Sequence, residues 1–235
     1  MNILALDTSN QTMGVAVISN GKVIGEYMTT VKNNHSVRLM PAIDQVMKDT
    51  QLKPNDLDRI VVAKGPGSYT GVRIGLSTAK TMAWTLNIPI VAVSSLEVVA
   101  YQWPSFNQLI CPFFDARRGL VYTGLYQTDE HGRLQLLKPE TNTLFEDWLM
   151  DLAKEKKATV FLSQDLEVHR SLIEQHMGDL AIFPDSPYHL PRPALLGLAG
   201  ATREPDNVHT LTPNYLRLVE AEAKWLEEQE KRKNA

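Results

Sequence analysis

Asp7-Thr8-Ser9 closes an apolar run that begins at Ile3, and a carboxylate followed by two hydroxyls where a strand turns can hold a metal–phosphate group. A turn braced by the Asp side chain uses the same residue types, so two readings stand. Further on, Gly65-Pro66-Gly67-Ser68-Tyr69-Thr70-Gly71 places glycines and backbone N–H groups ahead of a helical stretch, where the helix dipole favours an anion. The segment lacks the lysine of a P-loop, and its glycine spacing is too long for the dinucleotide fingerprint. An anion site involving Gly67 and Ser68 and a tight strand-to-helix turn are again both open.

Other chemistry finds less support. His35 opens a helix, but the position one turn on is Leu39, and a histidine without a second ligand reads as a cap or a packed side chain. His131, His169, His176, His189 and His209 show no ligand spacing, and no G-x-S-x-G elbow ties a serine to a base. Cys111, the single cysteine, lies in an apolar strand and reads as core; it excludes an internal disulfide and points to a reducing compartment, the cytoplasm by default. No catalytic residue, metal or cofactor is expected.

The elements that must position these residues follow from periodicity. Residues 3–7 read as a strand, and Val15 to Ile24 as a hairpin turning at Asn20-Gly21. Residues 35–51 have a helical period, with Pro41 in the first turn or at a kink. A strand over 59–63, a helix over 69–86 capped by Ser68, a strand over 90–93 and a helix from Leu96 complete a β-β-β-α-β-α-β-α series. After Trp103-Pro104 the chain starts again: strands over 109–114 and 121–126, a helix over 145–153, a strand over 159–162 and helices over 166–176 and 194–201. The division expected is a first lobe of residues 1–103 with about 193–235, and a smaller second lobe of 104–192. Residues 221–233 read as a solvated terminal helix packing through Trp225 and Leu226.

Composition bounds the rest. In 235 residues, 43% are hydrophobic and 22% charged, near globular averages. The net charge is −3 with no basic block, so strong direct binding to nucleic acid phosphates is not expected. No basic n-region precedes the first apolar run and no stretch reaches membrane-spanning length, so neither leader nor membrane span is expected.

The helix over 69–86 carries a further signal. Gly71, Gly75, Ala79 and Ala83 recur every four residues, with Val72 beside them, and Met82 joins Met40, Ile43 and Met47 of the preceding helix. Core packing explains part of this set; the expectation is that these nine residues form a surface for a partner protein.

These segments together resemble the TsaB (YeaZ) family. The resemblance rests on Ile3-Leu4-Ala5-Leu6-Asp7-Thr8-Ser9, His35-Ser36 with Leu39-Met40-Pro41, and the glycine segment through Gly75. It continues in Ser94-Ser95-Leu96, Asp115-Ala116-Arg117-Arg118-Gly119 with Val121-Tyr122, and Pro213-Asn214-Tyr215-Leu216-Arg217. It covers essentially the whole chain. It implies an α/β fold of the actin and sugar-kinase type, with two related lobes, and a role in making threonylcarbamoyladenosine beside the anticodon of tRNAs that read codons starting with A. It also implies a division of labour in which TsaD holds the metal and performs the transfer, the ATPase TsaE joins the complex, and this chain is a non-catalytic scaffold. TsaD would dock on the first-lobe helices, a second copy of the chain could take that place when it is alone, and tRNA would be met only through the complex. TsaD relatives carry a histidine pair on the first helix; here Leu39 stands at the second position. Leu120 stands where many relatives have an acid, which leaves the role of the Asp115, Arg117 and Arg118 loop open. The rival readings are an ATP-dependent enzyme of the sugar-kinase type, for which no second phosphate loop is found, and a glycoprotease-type metallopeptidase, for which the ligands are missing.

Overall fold

The computed structural model describes residues 1–31 and 34–216. The 221–233 segment and Arg217 therefore lie outside the described residues. Strands β1 (Asn2–Asp7), β2 (Met13–Ser19) and β3 (Lys22–Thr29) form an antiparallel meander. The β2–β3 turn is of the primed type, with Asn20 at φ 49° and Gly21 at φ 77°, which suits strand twist. Helix α1 (His35–Asp49), strand β4 (Arg59–Ala63), helix α2 (Tyr69–Leu86), strand β5 (Ile90–Val93) and helix α3 (Ser95–Ala100) follow. Pro41 sits in the second turn of α1 rather than the first. There its missing N–H removes one i→i−4 bond of the helix, and the residue faces solvent.

The chain then repeats the plan with β6 (Leu109–Asp115), β7 (Leu120–Thr128), β8 (Leu134–Leu144), α4 (Phe145–Ala153), β9 (Thr159–Leu162), α5 (Leu166–Met177) and β10 (Ala181–Ile182). Sequence reading misses β8 and β10. The first sheet has the order β3-β2-β1-β4-β5, and the second β8-β7-β6-β9-β10. Position for position this is one topology used twice: an antiparallel meander, then two parallel strands reached by helical crossovers. Two mixed sheets flanked by helices in this duplicated order are the actin and sugar-kinase type of fold.

Burial explains the sequence pattern. β1 lies at the centre of its sheet with both faces covered, which is why it reads as a continuous apolar run rather than an alternation. Its Leu4 and Leu6 pack with α1 and α2; Ile3 and Ala5 pack with helix α6 (Pro193–Gly200) and Val98 of α3. On the second sheet, Phe113 and Phe161 meet α4 and α5 while Ile110, Phe114 and Val160 meet α3. α3 thus lies between the sheets, which accounts for its lack of an exposed face. After α6 the chain stays with the first sheet, where the Asp206 N–H donates to the Ile90 carbonyl at 2.8 Å.

Candidate functional site

β1 delivers Asp7 to the point where the first sheet meets the N-terminus of α2. The Ser9 N–H donates to Asp7 Oδ1 at 2.8 Å, the Thr8 hydroxyl donates to the Gly71 carbonyl at 2.7 Å, and the Ser68 N–H donates to the Ser9 carbonyl at 2.7 Å. Ser68 also caps α2, its Oγ accepting from the Gly71 N–H at 3.2 Å. Gly67 is required here because a methyl group on it would stand 2.2 Å from the Ser9 oxygen. Asp7, Thr8 and Ser9 are all within 1% of full burial. Burial pushes the Asp7 carboxyl above the usual carboxylate range, against the bond from Ser9, and no donor among the described residues reaches Oδ2. The strand end is thereby closed over by backbone, and the Thr8 hydroxyl is engaged rather than offered to a ligand.

What stays open is the cleft beside it. A cavity of about 530 Å³ is lined by Gln11, Gly67, Ser68 and Tyr69 from the first lobe and by Asp115, Arg117, Tyr122 and Asp165 from the second. Asp115 is held from several sides. His169 Nε2 lies 3.0 Å from its Oδ1, the Arg117 N–H donates to Oδ2 at 3.3 Å, and its own N–H donates to Asp165 Oδ2 at 3.2 Å. Arg117 and Arg118 both have positive φ, 65° and 56°, in the tight β6–β7 connection. The Asp-Ala-Arg-Arg-Gly pattern marks this loop in the sequence. His169 and Asp165 give no such signal, because they reach the loop only through the β6–β9 pairing. Two contacts cross the cleft: Gln11 Nε2 donates to Asp165 Oδ1 at 3.1 Å, and Gln164 donates to the Thr12 hydroxyl.

The helix pair corrects an expectation. Gly71, Val72, Gly75, Ala79 and Ala83 of α2 and Ile43 and Met47 of α1 are buried, Ala79 completely. The small-residue stripe packs against the chain's own first sheet; a methyl group on Gly75 would lie 2.5 Å from the Thr8 hydroxyl oxygen. Small side chains serve there to bring helix and strand end together, and these seven residues are buried in the chain's own fold. Of the nine expected interface residues only Met40, 51% exposed, is open to solvent, while Met82 is half-buried against the core. The outer surface of the pair carries residues not anticipated: Val37 at 66% exposure, Trp84 at 67%, Thr70, Arg73, Ser77 and Thr81.

No group of three or more His, Cys, Asp and Glu residues among the described residues could hold a metal ion. His35 Nε2 lies 2.9 Å from the Asn10 carbonyl, in keeping with a packed side chain. Cys111 is buried beside Thr123, and burial pushes its thiol up to about 11. No described helix is long and apolar enough to cross a membrane.

Comparison with known proteins agrees with this geometry. The family model for TsaD, tRNA N6-adenosine threonylcarbamoyltransferase, matches residues 22–225. The tRNA threonylcarbamoyladenosine biosynthesis protein TsaB of Bacillus subtilis is 51% identical, over 97% of this chain and 100% of that protein. The protein of the same description from Escherichia coli is 32% identical over 56% of this chain and 58% of its own length. The solved structure of YeaZ from Pseudomonas aeruginosa superposes with a TM-score of 0.74 at 26% identity, covering 92% of this chain and 99% of that one. With the matched stretch running through both sheets and the Bacillus relative covered from end to end, the chain belongs to the TsaB (YeaZ) family of tRNA threonylcarbamoyladenosine biosynthesis proteins.

Proposed function

We propose that the chain is a non-catalytic subunit in the formation of N6-threonylcarbamoyladenosine beside the anticodon of tRNAs that read codons starting with A. TsaD docks on the outward surface of α1 and α2, the ATPase TsaE joins the complex, and tRNA is met through the assembly, in the cytoplasm.

One observation carries this reading: the outer surface of α2, together with the first two turns of α1, has the chemistry of an interface. α2 contains no acidic residue, and Arg73 and Lys80 are its only charges. Its exposed positions are instead threonine, serine, tyrosine and tryptophan, next to Val37 and Met40 of α1. A solvated helix carries mixed charge on its outer face. Depletion of charge with enrichment in aromatic residues, methionine and arginine marks the centre of a protein–protein contact. The engaged hydroxyl of Thr8 and the buried Asp7 support a supporting role rather than phosphate chemistry.

The test is reconstitution. Purified chain alone, with threonylcarbamoyl-adenylate, ATP and tRNA, is expected to give no modified adenosine and no appreciable ATP hydrolysis, whereas adding TsaD and TsaE restores modification only when the chain is present. Robust activity of the isolated chain overturns the proposal.

A further inference from the structure

At the N-terminal end of α2 an exposed arginine is held in place by two tyrosines, with no carboxylate beside it among the described residues. The Arg73 guanidinium carbon lies 3.8 Å from the centre of the Tyr69 ring and 5.6 Å from that of Tyr215. Its Nε donates to the Tyr215 hydroxyl at 2.6 Å, and the two rings stack with their centres 5.5 Å apart. Among the described residues no acid pairs with Arg73, and contact with Tyr215 holds the guanidinium above its ordinary pKa. Both tyrosines remain substantially exposed, Tyr69 by 45% and Tyr215 by 40%.

Tyr215 is brought to this place by the segment that follows α6. That segment runs back along the first lobe, where Lys80 Nζ donates to the Leu211 carbonyl at 2.7 Å and the Asn214 N–H to the Lys64 carbonyl at 2.8 Å. The chain thus fixes a long, flexible cation before any partner arrives, with Nε given to the Tyr215 hydroxyl and the guanidinium stacked on Tyr69. Immobilising such a side chain at the moment of binding costs conformational entropy, and here contacts within the free protein already reduce that cost. Arginine and tyrosine are also the residue types over-represented where truncation most weakens an interface. A planar guanidinium matches a carboxylate through paired hydrogen bonds.

We propose that Arg73, clamped between Tyr69 and Tyr215, anchors the α1–α2 face to a carboxylate side chain on the partner protein; this rests on the docking face assigned to TsaD above. Arg73 lines the groove between the helices with Ser36, Thr70, Ile74 and Ser77, a hollow of about 490 Å³. The occupant is accordingly a helix or loop that sets an Asp or Glu beside Arg73 and apolar side chains against Ile74 and Met40.

The test measures binding of the purified full chain to purified TsaD by calorimetry at low and high salt, beside its thermal midpoint. Arg73→Gln is expected to weaken binding roughly tenfold or more and to flatten its salt dependence, with the midpoint unchanged. Arg73→Lys, which keeps the charge but loses the planar fork, is expected to recover only part of the affinity. Met40→Arg separates the two proposals. If it abolishes binding while Arg73→Gln binds like the parent chain, the docking face stands and the anchor is wrong; if neither variant changes binding, both are wrong. A fall of several degrees in the Arg73→Gln midpoint makes the clamp a structural tie and overturns the anchor. So does a result in which Arg73→Gln splits a dimer of the chain alone and leaves TsaD binding intact, since the carboxylate then belongs to a second copy.

Discussion

Asn214, in the segment that returns to the first lobe, donates through Nδ2 to Glu140 Oε2 at 3.3 Å on β8, the edge strand of the second sheet. Glu140 Oε1 meanwhile accepts from the Tyr126 hydroxyl at 2.5 Å and from the hydroxyl of Ser94, the cap of α3. One carboxylate thus ties the second sheet to the cap of the central helix and to the returning segment. Burial and the neighbouring Glu140 carboxylate push the Tyr126 phenol well above its ordinary pKa, so Tyr126 is the donor throughout the physiological range.

Glu140→Ala is expected to leave these hydroxyls without an acceptor and to cost about 2 to 4 kcal/mol, because an unmade bond at a buried donor exceeds the net worth of a formed one. Glu140→Gln keeps an acceptor oxygen and is expected to lose less than half as much. Urea denaturation of the two variants checks this, and equal losses would contradict it.

The fate of the α2 stripe gives the second prediction. Ala79 has no exposure in the folded chain, so Ala79→Arg forces a long cation against the first sheet. Overpacking and an unpaired buried charge together put the cost at about 4 kcal/mol or more. The thermal midpoint of the isolated chain is expected to collapse. A variant that melts like the parent chain would mean that the stripe faces outward after all.

That stripe shows where sequence reasoning stops. Gly71, Gly75, Ala79 and Ala83 declare that something approaches α2 closely, but residues without bulk do not say whether a partner helix or the chain's own strand end does so. Periodicity reads β1, β4, β5 and β9 within a residue or so of where they lie, since each is a buried run bounded by turn residues. β8 escapes because it is an edge strand with Pro139 inside it, an alternation blurred by irregular pairing to β7, and little burial. Asp115 is legible from its motif, whereas its brace His169 is set by tertiary contact alone.

Met40 supplies the third prediction, as the one exposed member of the anticipated set on α1. With 51% of its surface open, Met40→Arg is expected to change stability by no more than about 0.5 kcal/mol. The same change places a long cation in the middle of the docking face. Co-purification with TsaD is expected to be lost at an unaltered thermal midpoint. Retention of TsaD at parental yield would remove the α1–α2 surface as the interface.

A fourth prediction concerns pH and rests on His189, in the stretch between β10 and α6. Its Nδ1 lies 3.1 Å from the Ser163 N–H and accepts from it, which leaves Nε2, 2.8 Å from the Pro184 carbonyl, as the donor. The ring is therefore neutral, and a proton on Nδ1 would confront the Ser163 N–H and break that bond. Burial lowers the His189 pKa below its ordinary value; Arg170 on α5 pushes in the same direction, while the Pro184 bond and Glu167 oppose it. Because the folded state binds the proton less readily than the unfolded chain, this contribution to stability is fully present above the ordinary histidine pKa of about 6.5 and is lost as pH falls below it. Between pH 7.5 and 5 the parent chain is expected to lose stability, and His189→Gln, which cannot titrate, is expected to lose less over the same interval from a lower starting value. Denaturation midpoints at the two pH values for both proteins decide it. Parallel losses would show that other groups govern the acid sensitivity, and that the bond from Ser163 to His189 does not set it.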